Sequence, residues 1–134
     1  MTHLDTSYIV DLLREVARGE EGPATALLKR LDEEELGISV HVVCELHAGA
    51  ELSRDPDRER SRVTELVQPL ALSVPDERFA PEYGRVFAEL RRRGESISSM
   101  DLLIATGALV DGAALVTRNA REFERVPGLR VIAY

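Results

Sequence analysis

A single cysteine, Cys44, stands in this chain of 134 residues, which excludes an intrachain disulfide. It lies between Val43 and Glu45 in an apolar segment with no Lys or Arg beside it. That setting predicts a buried, unreactive thiol, and a lone cysteine fits the reducing cytoplasm. The opening MTHLDTS has no basic region leading into an apolar stretch, so no signal peptide is expected. No run approaches about 18 consecutive apolar residues, so no membrane span is expected either. Internal repeats, low-complexity tracts and long linkers are also absent.

Positive charge is in short supply. The 17 Lys and Arg face 24 Asp and Glu, for a formal net charge of -7. This argues against broad, charge-driven binding of nucleic acid, which favours basic surfaces. It leaves room for a nuclease whose carboxylates hold a divalent cation, because the cation then presents positive charge to the phosphate. There is no Walker-type glycine loop and no GxGxxG, so a nucleotide cofactor has no support. His3, His41 and His47 form no HExxH motif, and a spacing of six keeps His41 and His47 off a common helix face. A phospho-acceptor receiver domain needs an acidic pair after its first strand and a late lysine. Here Asp5 is followed by Thr6 and Ser7, and Lys29 is the only lysine.

The length fits one domain, residues 1–134, large enough to bury a core without a disulfide or structural metal. Apolar runs alternate with helical patterns. They predict an α/β fold in three layers, a mostly parallel sheet of about five strands flanked by helices. Strands are expected at residues 3–6, 36–39, 70–74, 114–117 and 129–133. A first helix from Tyr8, with Ile9, Leu12, Leu13 and Val16 inward, is expected to break at Gly22 and Pro23. A second runs to Glu34 with Ala24, Leu27, Leu28 and Leu31 inward. Ser39 or His41 opens a third, reaching Ser53. Asp55 as cap and Pro56 at the first position open a fourth. A fifth starts near Pro81, carries Tyr83, Val86, Phe87 and Leu90, and closes at Gly94. Ser99 caps a sixth that ends at Gly112, and a short seventh holds Arg121 to Glu124.

Most of the acidic residues fall on faces that water solvates, but three do not. Asp5 ends the first strand, and ligands of open α/β sheets bind beyond the carboxyl ends of the strands. Its alternative role is to cap the first helix, for which Thr6 or Ser7 would serve equally well. Glu45 shares three- and four-residue steps with Val42, Gly49 and Leu52, the spacing of a core-facing stripe. A carboxylate placed there needs a salt bridge, a proton or a metal. Asp101 opens the least polar helix, MDLLIATGALV. The helix dipole favours an acid in the first turn, but it does not account for a lone charge ahead of nine uncharged residues. Carboxylates are hard oxygen ligands suited to Mg²⁺ or Mn²⁺. A cation so held lowers the pKa of a bound water and offsets charge on an attacked phosphodiester.

Four segments carry a family resemblance. LDTS at 4–7 resembles the first motif of PIN domains, and SVHVVCELHAGA at 39–50 resembles the second. SSMDLLIATGAL at 98–109 resembles the third, and LVTRNAREFERVPGL at 115–129 resembles the closing strand and turn. The four lie in register along the whole chain, and the group they most resemble is the VapC-type toxins of toxin–antitoxin pairs. The resemblance implies a metal-dependent endoribonuclease with Asp5, Glu45 and Asp101 as ligands of Mg²⁺ or Mn²⁺ and an RNA substrate. It also implies a homodimer and a small inhibitory antitoxin of the VapB kind. Many PIN domains carry a fourth aspartate where this chain has Asn119, and Glu122 is the candidate to supply the missing carboxylate. Thr117, with Thr6 and Ser7, is expected to orient a ligand or a water.

Among the basic residues, Arg118 and Arg121 lie near enough in sequence to the proposed site for a phosphate role. Arg91, Arg92 and Arg93 serve equally well as compensation for a helix C-terminus. An antitoxin arginine is expected to enter the acidic pocket, with its helix along exposed members of the Leu12, Leu13, Leu27 and Leu31 set, unless all four belong to the core. The competing readings are a PIN-like module that binds RNA or a partner without cutting, favoured by Asn119, and a structure-specific DNA nuclease.

Overall fold

The computed structural model describes all residues, 1–134. The chain runs β1 (Thr2–Leu4), α1 (Thr6–Arg18), α2 (Pro23–Arg30), β2 (Leu36–Ser39), α3 (Val40–Glu51) and α4 (Pro56–Val67). It continues with β3 (Ala71–Ser73), α5 (Phe79–Arg92), α6 (Ser99–Val110), β4 (Ala114–Val116), α7 (Ala120–Phe123) and β5 (Val131–Ile132). The five strands form one sheet in the order β3-β2-β1-β4-β5, and every pairing is parallel. The chain builds outward from β1 to β2 and β3, then returns through α5 and α6 to lay β4 on the other side of β1. The strand order therefore reverses between β1 and β4. At such a switch point the connections leave in opposite directions and open a crevice at the carboxyl edge.

The all-parallel sheet is covered by helices, and its central strands are correspondingly buried. Thr2, His3 and Leu4 of β1 and Ala114, Leu115 and Val116 of β4 are all out of water. The core gathers Tyr8, Ile9 and Leu12 of α1, Val42, Leu46 and Ala50 of α3, and Leu102, Ile104, Ala105 and Ala108 of α6. One polar group inside the sheet is secured by other elements. His3 Nε2 bonds Asp111 Oδ2 at 2.8 Å, and Ser73 Oγ donates to the same oxygen at 2.5 Å. Burial pushes the His3 imidazole below its ordinary pKa, although Asp111 pulls it the other way.

The expected α/β architecture and its five strands are present, with shifted ends. The first helix stops at Gly19, whose φ of 65° makes the left-handed cap. Gly22 and Pro23 start α2 instead, as its N-cap and first residue. α2 ends at Arg30, ahead of the expected Glu34. α5 begins earlier than expected, at Phe79, and Ser98 rather than Ser99 caps α6.

Three packing expectations need correction. Val16 is 67% exposed, because the chain leaves the helix three residues later and nothing covers that turn. The buried face of α3 is Val42, Leu46 and Ala50, so Gly49 and Leu52 look outward and Glu45 flanks the core. Cys44 is exposed, because it lies on the far side of α3 from that face.

Candidate functional site

Asp5 follows β1 at the switch point and is 3% exposed. It occupies the N-cap position of α1, yet its side chain makes no capping bond. Instead Oδ2 accepts from Ser7 Oγ at 2.9 Å and from Thr117 Oγ1 at 2.7 Å. The backbone settles this choice: the Asp5 N–H donates to Val116 O, which fixes the residue in the β1–β4 seam and aims its carboxylate across it. Thr117, fully buried after β4, also receives the Asn119 N–H at 3.0 Å. The capping alternative for Asp5 therefore fails, and Thr117 and Ser7 hold the carboxylate in place.

Glu45 sits in the second turn of α3, half-buried. Its Oε1 accepts from Thr6 Oγ1 at 2.6 Å, and no arginine or lysine pairs with it. Position on the helix explains this: Ser39 caps α3 through the Val42 N–H, so α3 starts at the carboxyl end of β2, beside Asp5. The salt-bridge alternative finds no partner.

Asp101 reaches the crevice from α6. Ser98 caps the helix by accepting the Asp101 N–H at 3.2 Å. The Asp101 carboxyl is half-buried and stands up to about 6, against an ordinary 3.8. Burial is the main cause, and the charges of Glu122, Asp5 and Glu45 add to it against the pull of Ser98. These three like charges come from separate places, Asp5 after β1, Glu45 on α3 and Glu122 in the first turn of α7. Asp101 thus shares one electrostatic neighbourhood with three other carboxylates, whose negative charges disfavour its ionisation.

Asn119 is exposed at the start of α7, and its side chain makes no capping bond. Arg121 is exposed without an ion pair, whereas Arg118 Nη1 donates to Asp11 Oδ1 at 2.8 Å. Tyr134 OH donates to the other oxygen of Asp11 at 2.6 Å. Sequence reading missed Asp11 and Tyr134. Nothing local marks either, since the bond joins residues 123 apart. Ser98 was also missed in its capping role, although its spacing of three ahead of Asp101 is the signal for it.

The donor set at the crevice is oxygen only, which suits a hard divalent cation. No three His, Cys, Asp or Glu side chains stand close enough together to hold a metal ion by themselves, so a cation here would need water or substrate oxygens to fill its shell.

A switch-point crevice lined by carboxylates in a five-stranded parallel α/β sandwich is the layout of a PIN-like domain. The comparisons agree. The PIN domain model matches residues 3–129, and the chain belongs to that family. It is 37% identical over 93 residues to Ribonuclease VapC2 of Haemophilus influenzae, covering 69% of this chain and 70% of the relative. It is 38% identical over 94 residues to the tRNA(fMet)-specific endonuclease VapC of Salmonella typhimurium, covering 70% and 71%. Among solved structures, VapBC2 from Rickettsia felis bound to a promoter DNA fragment superposes with a TM-score of 0.87 at 27% identity. That match covers 99% of this chain and 98% of the other. DNA-bound VapBC from Salmonella typhimurium gives 0.83 at 31% identity, covering 99% and 98%.

Proposed function

We propose that this chain is a metal-dependent endoribonuclease, the toxin of a toxin–antitoxin pair, with Asp5, Glu45 and Asp101 as ligands of Mg²⁺ or Mn²⁺. The observation that carries the reading is the gathering of Asp5, Glu45, Asp101 and Glu122 about one crevice with no Lys or Arg paired to any of them. Oxygen ligands left without a cationic side chain suit a divalent cation. The names of the relatives, ribonuclease and tRNA endonuclease, supply the substrate class.

A bound divalent cation would polarise the scissile phosphate and acidify a water. The chain's own residues do the rest. Ser7 and Thr117 fix Asp5 through two donated hydrogen bonds, so it presents one oriented oxygen pair without reorganising. Thr6 fixes Glu45 in the same way. Asp101 and Glu122 complete the charge at the mouth of the crevice, and Asn119 adds a neutral amide that can orient a water. Behind Asp101, α6 buries Leu102, Ile104 and Ala105, an apolar backing that strengthens electrostatic contacts on that side of the carboxyl.

The partner is a VapB-like antitoxin, in keeping with the VapBC complexes among the structural relatives. A groove of about 460 Å³ runs from Thr6 and Glu45 past Val10, Leu13 and Val63 and offers a seat next to the carboxylates. Of the leucines expected to line such a seat, Leu12, Leu27 and Leu31 are buried in the core and only Leu13 faces the groove. The protein acts in the cytoplasm as a homodimer. RNA cleavage should be lost in EDTA and restored by Mn²⁺. The second reading, an RNA- or partner-binding module, is favoured by Asn119 at the place of an acid. RNA binding without cleavage at saturating Mn²⁺ would select it.

A further inference from the structure

Beside the acidic crevice lies a second cleft of about 330 Å³, between α1 and the residues that follow β4. Arg14, Arg18, Arg118, Asp11, Glu15 and Tyr134 line it, with a single hydrophobic residue among its walls. Its charges are unevenly committed. Asp11 is divided between Arg118 and the Tyr134 phenol. Glu15 points away from the arginines, because its two oxygens accept the N–H groups of Gly22, Ala24 and Thr25. Those bonds outweigh the effect of burial and hold the Glu15 carboxyl below its ordinary range.

Arg14 and Arg18 are left over. Both are exposed, and neither joins any of the ion pairs that occupy Arg60, Arg62, Arg78, Arg85, Arg93 and Arg118. They sit four residues apart on α1, where like charges repel. Within this cleft three guanidiniums, Arg14, Arg18 and Arg118, face two carboxylates that are already engaged, so the cleft carries an excess of positive charge open to an external anion. The direction to the crevice is also built. Arg14 lines both this cleft and the groove that holds Thr6 and Glu45. The Arg118 N–H donates to Ser7 Oγ, and Ser7 donates to Asp5.

We propose that Arg14, Arg18 and Arg118 form a phosphate-binding subsite that seats the backbone of a single-stranded RNA segment beside the acidic crevice. This rests on the ribonuclease reading above. Asp11 and Tyr134 are positioning residues: they hold Arg118 over the cleft, while Arg14 and Arg18 supply the free charge. The subsite solves a problem the carboxylates create. An acidic crevice repels the polyanion it is meant to cut, and guanidiniums alongside it offset that repulsion through charge-assisted, planar contacts.

The test separates binding from cutting. A labelled oligouridylate is titrated into the D101N protein in EDTA at several salt concentrations, followed by fluorescence anisotropy. Adding R14Q and R18Q together should weaken binding at least tenfold. It should also lower the slope of log K against log salt by about 1.4, or about 0.7 for each phosphate no longer neutralised. The pair R54Q and R58Q, exposed residues without ion pairs by the far end of α3, serves as the equal-charge control and should leave the slope unchanged. In the Asp101 background that cuts, R14Q/R18Q should raise KM with kcat retained. Unchanged affinity and slope for R14Q/R18Q overturn the subsite, as does an equal loss in the R54Q/R58Q control. Loss of antitoxin binding with RNA binding intact overturns it too, because the cleft would then serve an acidic protein segment. If the unmodified protein binds RNA but does not cut it, the catalytic reading fails while the slope still decides the subsite.

Discussion

Replacing Asp101 by Asn should stabilise the metal-free protein while abolishing its activity, two effects of opposite sign from one atom. The carboxyl stands at about 6 in the fold against 3.8 for the ordinary group. At about 1.36 kcal/mol per factor of ten in proton affinity, that rise corresponds to about 3 kcal/mol of unfavourable ionisation at neutral pH. Asp101 is only half-buried, so solvent screening reduces the expected effect to ~1 kcal/mol. The amide keeps the shape and the place in the first turn of α6, and it removes both the desolvated charge and its repulsion by Glu122, Asp5 and Glu45. In a domain of this size ~1 kcal/mol raises Tm by about 3–5 °C.

The sign with pH follows from the same shift. A folded acid with a raised pKa binds its proton more tightly than the unfolded chain does. Its favourable contribution is complete below pH 3.8 and is lost as pH rises through about 6. The advantage of D101N over the unmodified protein should therefore appear between about pH 4 and 6.5 and level off above. Urea denaturation in EDTA across that range measures it, and a gel assay of RNA cleavage in Mn²⁺ measures the activity. A D101N protein less stable than the unmodified one at pH 7 in EDTA would refute the claim that carboxylates crowd this crevice.

Millimolar Mn²⁺ should raise Tm of the chelator-treated protein and fail to do so in D101N, because only the folded crevice presents the ligands together; an equal rise in both would place the cation elsewhere. T117V should cut cleavage strongly at a stability cost of about 1–3 kcal/mol, since it removes one of the two donors to Asp5 Oδ2 and the acceptor of the Asn119 N–H; wild-type kcat in the variant would deny Thr117 its orienting role. S98A should cost ~1 kcal/mol by uncapping α6, readable in denaturant midpoints, and no change there would mean that the α6 end is held by other contacts. G19A should cost about 1–2 kcal/mol with activity retained, because φ is 65° there and nothing lies within reach of an added Cβ; a neutral result would show that the α1 end relaxes freely.

The pattern of apolar runs made the layers and the five strands readable, because the central strands β1 and β4 are buried along their length and β2 nearly so, and apolar residues mark the edge strands too. Asp5, Glu45 and Asp101 stood out for a related reason: each is an acid where local rules ask for something else. Glu45 was found through a wrong stripe, however. Four-residue steps from Val42 run through Leu46 to Ala50, and the small residues at 48–50 blur which face is apolar. Cys44 and Val16 were misplaced because burial depends on which neighbours arrive, and neither helix periodicity nor composition reports that. The bonds from Thr117 to Asp5 and from Tyr134 to Asp11 span more than a hundred residues. No window of sequence carries such a contact.

The seam between β1 and β4 has a consequence in time. Asp5 is made well before the hydroxyl of Thr117 that holds it, which lies 112 positions later. β4, which flanks β1, is equally late. A chain still emerging from the ribosome can form α1 and α2 and pair β1 with β2, yet it has no crevice until residue 117 is free to fold back. Because pairing of this range waits on chain closure, the crevice assembles only once residue 117 can reach β1, and a chain folded no further than α1, α2 and the β1–β2 pair leaves the Asp5 carboxylate without its Thr117 donor.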